Sequence, residues 1–487
     1  AQGVEFDYCC VKAVEALRRR GIRAIMMNVN PETVSTDHDI SDALYLEPLY
    51  IDDAMAVLER EKAKGVFACF GGQTSLRLGL DLAAEEIRLL GPDQDVIDVA
   101  EDRGKFSRLL QKLGISQPAG VDVASIEEAR AIAEKLGYPL MVRPSFVIGG
   151  VAMKVVYSEK EMLDVLSEAF QAVEGQKVMI DRFLQGKEFE CDAVCDGADV
   201  FIPGIFEHID PSGIHSGDSI AVFPSFSLTD EQQNDILKVV QMISAELDIH
   251  GLLNIQFVLK DGVFWIIEAN PRASRTVPIC SKISKVPMVD MAVGVALGEK
   301  LRDMGYGLGF MPRTELWGVK VPVFSNDKLP GIDPKLGPRM MSTGESLGLG
   351  RNLAEAMTDG LKGAGWLPPL KGRILMSIAD SQKTESMPTA AQFSSIGWTV
   401  CATSGTSAYL SKWGIDVTTV PQEGLVERLR KGEWDLVLNI PGGNERNMKH
   451  GVEIRRSASA AGVPCLHSIA AAWAVANSLS KSQRNDL

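Results

Sequence analysis

Paired cysteines, long apolar runs and an excess of positive charge are all missing from this chain. Its eight cysteines, Cys9, Cys10, Cys69, Cys191, Cys195, Cys280, Cys401 and Cys465, form no CxxC pair. Most sit inside apolar runs, as free thiols do, and the Cys191–Cys195 spacing suits zinc poorly. A disulfide scaffold is not expected, and a reducing, cytoplasmic location is. No apolar run is long enough to span a bilayer, so no membrane partner is expected. Lys and Arg number 50 against 64 Asp and Glu, for a net charge of -14. That argues against a nucleic-acid surface, and any anionic substrate would be held by local arginines. The rest, 45% apolar and 23% charged over 487 residues, reads as globular protein of about three domains.

What is present is an alternation of helical and strand patterns. Residues 4–20 read as a helix with Phe6, Cys9, Cys10, Ala13 and Leu17 on one face. A strand at 24–29, a helix at 52–62, a strand at 65–70 ending in Gly71-Gly72-Gln73-Thr74, a helix at 75–85 and a strand at 87–90 follow. This is the pattern of a Rossmann-like parallel sheet, whose first strand is expected upstream of Ala1 in a longer polypeptide. From about residue 96 helices are expected at 101–113 and 125–135, then strands at 140–143, 177–183, 188–195 and 199–208. Arg143 stands beside the glycine-bearing loop 144–150, a pattern suited to nucleotide phosphates. A polar loop, 207–219, precedes a helix at 230–248 with a capping box at Thr229 and Gln232. Residues 277–303 read as helical, and 304–370 as irregular, rich in Pro and Gly, with a helix at 352–361. A last α/β unit fills 372–487, where Thr403 and Thr406 at a helix start suit an anion.

Residues 252–276 draw these pieces together. Two apolar runs flank Lys260-Asp261-Gly262, a hairpin signal. Both read as buried, yet they carry Gln256 and then Glu268, Asn270, Arg272 and Arg275. Burying such groups is costly unless they find partners. A two-residue turn at Asp261-Gly262 would pair Gln256 with Ile267 and turn Glu268 to the other face. A three-residue turn pairs Gln256 with Glu268 and brings Asn270 to the same face, and this register is the one expected. It gathers three oxygen donors suited to a hard cation, with Arg272 and Arg275 placed for phosphate oxygens. A structural Glu–Arg staple would account for one Glu and one Arg, but not for five polar groups in one stretch.

The segments QGVEFDYC, NVNPETVSTD, GGQT, AEDRGKF, VRPSFVIGG, HSGDS, NIQF and EANPRASRTVP occur in this order along the chain. Their combination resembles the C-terminal half of the carbamoyl phosphate synthetase large subunit. The resemblance implies an α/β chain with a pre-ATP-grasp domain at 1–95 and an ATP-grasp domain at 96–303. A connecting region at 304–371 and a methylglyoxal-synthase-like regulatory domain at 372–487 complete it. It implies phosphorylation of carbamate by ATP with Mg2+ or Mn2+, for pyrimidine or arginine pathways. Gln256, Glu268 and Asn270 then match metal ligands, the first two also touching ATP. Arg143, Arg182, Leu184, Glu188, Gly213, Ile214, His215 and Ser216 match nucleotide contacts. Arg103, Arg272 and Arg275 match catalytic arginines, and Thr403, Thr406 and Asn439 match effector contacts. Implied partners are the N-terminal half of the synthetase, a glutamine amidotransferase and a small-molecule effector, with a homo-oligomer also expected. A phosphorylated effector on the 403–407 loop fits best. Another ATP-grasp ligase, or a nucleotide-binding regulatory fragment without turnover, are the competing readings.

Overall fold

The structure is a computed structural model and describes residues 3–144, 153–172, 177–325, 331–442 and 445–485. The loop residues 145–150 beside Arg143, and Gly443 and Asn444, lie outside the described residues. The chain divides into two compact units, each discontinuous in sequence. The first comprises Ala1–Pro118, Glu188–Glu207 and Phe223–Thr314, the second Ala119–Lys187, His208–Val222 and Glu315–Leu487. No helix among the described residues is long and apolar enough to cross a membrane.

The first unit opens on the helix Val4–Arg19, which buries Phe6, Cys9, Ala13 and Ala16. The next residue, Arg20, forks Asp290 at 2.8 Å and Glu299 at 2.6 Å. The strand Ile25–Asn28 pairs in parallel with Ala43–Leu46, a strand the sequence pattern did not show. The strands expected at 65–70 and 87–90 shrink to a single parallel bridge, Val66 to Leu89. Carbonyls that would extend the ladder go elsewhere: Ala68 O accepts from Ser75 Oγ at 2.8 Å, and Cys69 O from Ala273 N at 2.9 Å. The main sheet of this unit runs Val263–Asn270, His250–Lys260, Lys187–Asp196, Ile205–His208. The run expected as one strand over 199–208 is two, Val200–Ile202 and Ile205–His208, broken at Pro203-Gly204. The helices Arg103–Leu113 and Asp230–Leu247 supply Phe106, Leu110, Ile236, Val240 and Ile243 to a core with Phe189, Ile255 and Phe257. Their starts follow from local chemistry. Asp102 accepts from Lys105 N at 2.8 Å, and the Thr229–Gln232 capping box is formed. Residues 277–303 are two helices, Val277–Ser284 and Met288–Ala296, separated where Lys285 turns left-handed (φ 59°) before Pro287.

The second unit holds three sets of paired strands. A four-stranded antiparallel sheet runs Gly120–Val123, Val178–Arg182, Leu140–Pro144, Lys154–Val156. Helices Ile126–Leu136 and Glu159–Ala172 bury Ala129, Ala133, Met162 and Leu166 with its inner face. Residues 304–370, expected to be irregular, contain an antiparallel pair, Trp317–Val323 with Gly344–Gly350. Glycine hid the second strand. A Cβ on Gly348 would stand 2.0 Å from Ala356 O, and one on Gly350 would stand 2.4 Å from Ala356 N, both in the helix Leu353–Gly363. The residues that weaken the strand signal are those that let the helix lie on it. Last, a parallel sheet runs Thr418–Val420, Thr399–Thr403, Arg373–Ile378, Leu436–Ile440, Cys465–Leu466. The stretch 403–407, expected as a loop, is mostly the first turn of the helix Ser404–Lys412.

Candidate functional site

In the first unit the hairpin of His250–Lys260 and Val263–Asn270 sets the site. Gln256 lies opposite Glu268, and Asn254 opposite Asn270. The turn has two residues, not the three expected: Lys260 pairs with Val263 across Asp261-Gly262. Both turn residues have positive φ, 52° and 77°, the condition for a type I′ turn. The register comes instead from a β-bulge. Phe257 pairs with Ile266 and the next pair is Gln256 with Glu268, which leaves Ile267 as an extra residue. The bulge switches parity, so Phe264 and Ile266 face the core before it and Ala269 after it. Glu268 and Asn270 are thereby released to the opposite face.

That face carries a connected set of polar groups. Asn270 Nδ2 donates to Glu268 Oε1 at 3.0 Å and to Asn254 Oδ1 at 3.4 Å. Asn270 Oδ1 accepts from Arg272 at 3.2 Å. Glu268 is exposed, Gln256 and Asn270 are half-buried and Asn254 is buried. The Arg272 guanidinium also donates to Ala273 O at 2.9 Å and stands 5.9 Å from the Phe6 ring. Burial lowers its pKa, opposed by Glu268, Glu101, Glu190 and Asp192. Arg275 pairs with Glu5 at 3.1 Å. Arg103 is exposed in the first turn of its helix, and the neighbouring Glu101 accepts from Gln73 of the GGQT segment at 2.5 Å. Glu188 is half-buried near the start of Lys187–Asp196.

The other expected nucleotide contacts lie in the second unit. Arg143, next to last in its strand, has Nε 3.1 Å from the Asp181 carboxylate. Arg182 is exposed at the end of the neighbouring strand, and Leu184 is buried. Ser212 Oγ donates to Leu184 O at 2.7 Å and accepts from Gly186 N at 3.1 Å, joining two of the candidate segments. Gly213 has φ +94°, and a Cβ there would meet the Phe183 ring at 2.8 Å, so this turn requires glycine. Ile214 is half-buried; His215 N donates to Gly337 O at 2.8 Å, and Ser216 O accepts from the buried Lys320 at 2.7 Å. Asp218 accepts from Met341 N and Ser342 N, both at 2.8 Å. The loop is thus held by residues more than a hundred positions away.

In the parallel sheet, Thr403 and Asn439 sit at the carboxyl ends of the strands flanking Arg373–Ile378. Thr406 Oγ1 accepts from Ile378 N at 3.1 Å and lies 3.4 Å from Thr403 Oγ1. Asn439 Oδ1 accepts from Arg455 at 2.7 Å, while its Nδ2 is buried without a hydrogen-bond partner among the described residues. Arg455 turns its other nitrogens to Asp333 at 2.7 and 2.6 Å. Burial, then the charge of Arg455, pushes His467 down to about 3, so it is neutral.

Residues that sequence reasoning missed include Glu190, Asp192, Asn254, Ser274 and Thr276 in the first unit. Lys320, Asp333 and Arg455 in the second were missed as well. Asn254 carried a signal, two positions before Gln256 and so on its face. The others are brought in by tertiary contacts.

The fold matches solved structures at low identity. The biotin carboxylase domain of Hydrogenobacter thermophilus 2-oxoglutarate carboxylase aligns with TM-score 0.57 and 18% identity, over 72% of this chain and 87% of that one. Biotin carboxylase from Campylobacter jejuni aligns with TM-score 0.53 and 18% identity, over 65% and 73%. The molecule is of the ATP-grasp class. Family models narrow this further. The carbamoyl phosphate synthase preATP-grasp domain matches residues 1–99, the carbamoyl-phosphate synthase L chain ATP binding domain 102–304, and the MGS-like domain 385–467. The chain is 44% identical over its whole length to the carbamoyl phosphate synthase large chain of Thermoanaerobacter pseudethanolicus, covering 45% of it. To that of Clostridium botulinum strain Kyoto it is 46% identical over 94% of its length, covering 43%. The chain belongs to the carbamoyl phosphate synthase large-chain family and spans about 45% of the length of the relatives it matches.

Proposed function

We propose that this chain transfers the γ-phosphoryl group of ATP to carbamate, giving carbamoyl phosphate and ADP, and that its C-terminal domain regulates the reaction. The observation that carries this is the shared face of Gln256, Glu268 and Asn270 with Arg272 at its edge. Their donors are amide and carboxylate oxygens on a face open to solvent at Glu268, the chemistry of a hard divalent cation. These three residues would hold Mg2+ or Mn2+, which would neutralise phosphate oxygens. One structural relative is described as bound to MgADP, in line with this. Arg143, Arg182, Leu184, Glu188 and Gly213–Ser216 are assigned to the nucleotide. Arg103, Arg272 and Arg275 are assigned to the transferred group. The carbamate oxygen bonds to the γ-phosphorus as the bond to the β–γ bridging oxygen breaks, and that oxygen leaves with ADP. The attacking oxygen is already anionic, so no general base is needed and catalysis is positioning with charge neutralisation.

In this reading 1–95 is the pre-ATP-grasp domain, 96–303 the ATP-grasp domain, 304–371 the connection and 372–487 the regulatory domain. The partners are an N-terminal half supplying carbamate and a glutamine amidotransferase supplying ammonia, in the cytoplasm, for pyrimidine or arginine synthesis. The effector on Thr403, Thr406 and Asn439 is a phosphorylated metabolite, tested by titration calorimetry with a pyrimidine nucleotide and with phosphoribosyl pyrophosphate. The reaction itself is tested in reverse, as ATP formed from carbamoyl phosphate and ADP. Glu268→Gln is expected to lower that rate by roughly 100-fold or more with the fold retained. A folded wild-type chain that binds MgADP and forms no ATP would instead be a regulatory fragment.

A further inference from the structure

Beside the Gln256–Glu268 pair, on the same side of the sheet and one strand over, lie two further carboxyl groups, Glu190 and Asp192. They are two residues apart on Lys187–Asp196 and so on one side of it, at 5% and 1% exposure. They share their donors. Asn254 gives one amide hydrogen to each, at 2.8 Å to Glu190 Oε1 and 2.9 Å to Asp192 Oδ1. The Thr276 hydroxyl stands 3.0 Å from Glu190 Oε1 and 2.6 Å from Asp192 Oδ2. The Ser274 hydroxyl stands 2.7 Å from Asp192 Oδ1 and 2.9 Å from Thr276 Oγ1. Counting hydrogens favours a retained proton. Those four oxygen–oxygen contacts contain two hydroxyl hydrogens, one from Ser274 and one from Thr276. A proton on either carboxyl fills a third contact, and two adjacent buried carboxylates resist double ionisation.

We propose that Glu190 and Asp192 hold one proton between them and act as positioning residues for the site beside them. This rests on the phosphoryl-transfer reading above. Ser274 and Thr276 flank Arg275, so the pair anchors the backbone on both sides of that arginine. Through Asn254 it reaches Asn270, 3.4 Å away. Ser274 Oγ accepts from Thr276 N and Val277 N at 3.1 and 3.3 Å, which ties the pair to the start of the helix Val277–Ser284. The positive end of that helix favours the one remaining negative charge. Among the groups facing the pair from other elements are the Arg272 guanidinium and the thiols of Cys9 and Cys280, with Cys191 beside it in the strand. Burial raises all three thiols, which therefore stay neutral.

The test uses the full chain with Glu190→Gln, Asp192→Asn, the double amide and Asp192→Ala. Difference infrared spectroscopy is expected to show a protonated-carboxyl band in the wild type that titrates away as pH rises through about 6, and that titrates away at lower pH in each single amide, where the neighbouring negative charge is gone. Each single amide supplies the hydrogen that the shared proton supplied, so ATP formation stays within about threefold of wild type. The double amide and Asp192→Ala misplace Arg275 and Asn270, and kcat falls roughly ten- to a hundredfold while KM for ADP holds. A band whose titration is unmoved in both single amides, or single amides as damaging as Asp192→Ala, would overturn the proposal. If Asp192→Ala does not fold, the single amides still decide it. If the wild type forms no ATP, the functional reading fails by itself, while the infrared bands still test the shared proton.

Discussion

Asp192 in the first unit is buried and Asp333 in the second half-buried, and their pKa values move in opposite directions. Burial, then the neighbouring charge of Glu190, pushes Asp192 up to about 6, against hydrogen bonds from Thr276, Ser274 and Asn254. Desolvation also raises Asp333, but the hydrogen bonds and charge of Arg455 outweigh it and its pKa is lowered. Neutral donors tolerate a proton on the carboxyl, whereas a guanidinium does not. Burial sets the pressure on a carboxylate, and the partner decides how it is relieved.

Three experiments would sharpen or break this contrast. The largest effect is expected from Asp333→Ala, which leaves the Arg455 guanidinium, 1% exposed, without its carboxylate. Removing one partner of such a pair costs about 3–5 kcal/mol, read from urea unfolding of the second unit's transition. A loss below about 1 kcal/mol would mean that the pair does not hold the segment. The next effect is the pH dependence. Asp192 is raised on folding, so its contribution is complete below the unfolded pKa and is lost as pH rises through about 6. Asp333 is lowered, so its contribution is present above the unfolded pKa and is lost as pH falls through the folded one. For Asp192 the swing is about 3 kcal/mol at most, and Asp192→Asn should flatten that limb alone. An unchanged slope in Asp192→Asn would assign the limb to another group, such as Asp210, which burial also raises. The smallest effect is Ser274→Ala, which removes one hydroxyl from Asp192 and should lower stability by about 1–2 kcal/mol in the same unfolding experiment.

Much of this was legible in the sequence where the cause is local. The capping box at Thr229, the helix start at Asp102 and the alternation of the last parallel sheet depend on neighbours along the chain. The pairing of Gln256 with Glu268 followed from the polar groups themselves, although the turn inferred for it was one residue too long. A bulge has no short-range marker, because the demand for it comes from the core on one side and the polar cluster on the other. Gly344–Gly350 was illegible for a related reason, since Gly348 and Gly350 answer to the helix Leu353–Gly363 that packs on them. Arg455 and Asp333, 122 residues apart, were beyond any local pattern.

The extra residue at Ile267 has a bearing on how this hairpin can vary in length. Removing it would leave a regular ladder in which Gln256 still faces Glu268, and Phe264 and Ile266 still face inward. Relatives one residue shorter at this point could therefore keep the whole polar face, so a gap in an alignment there would be no sign that the face is lost.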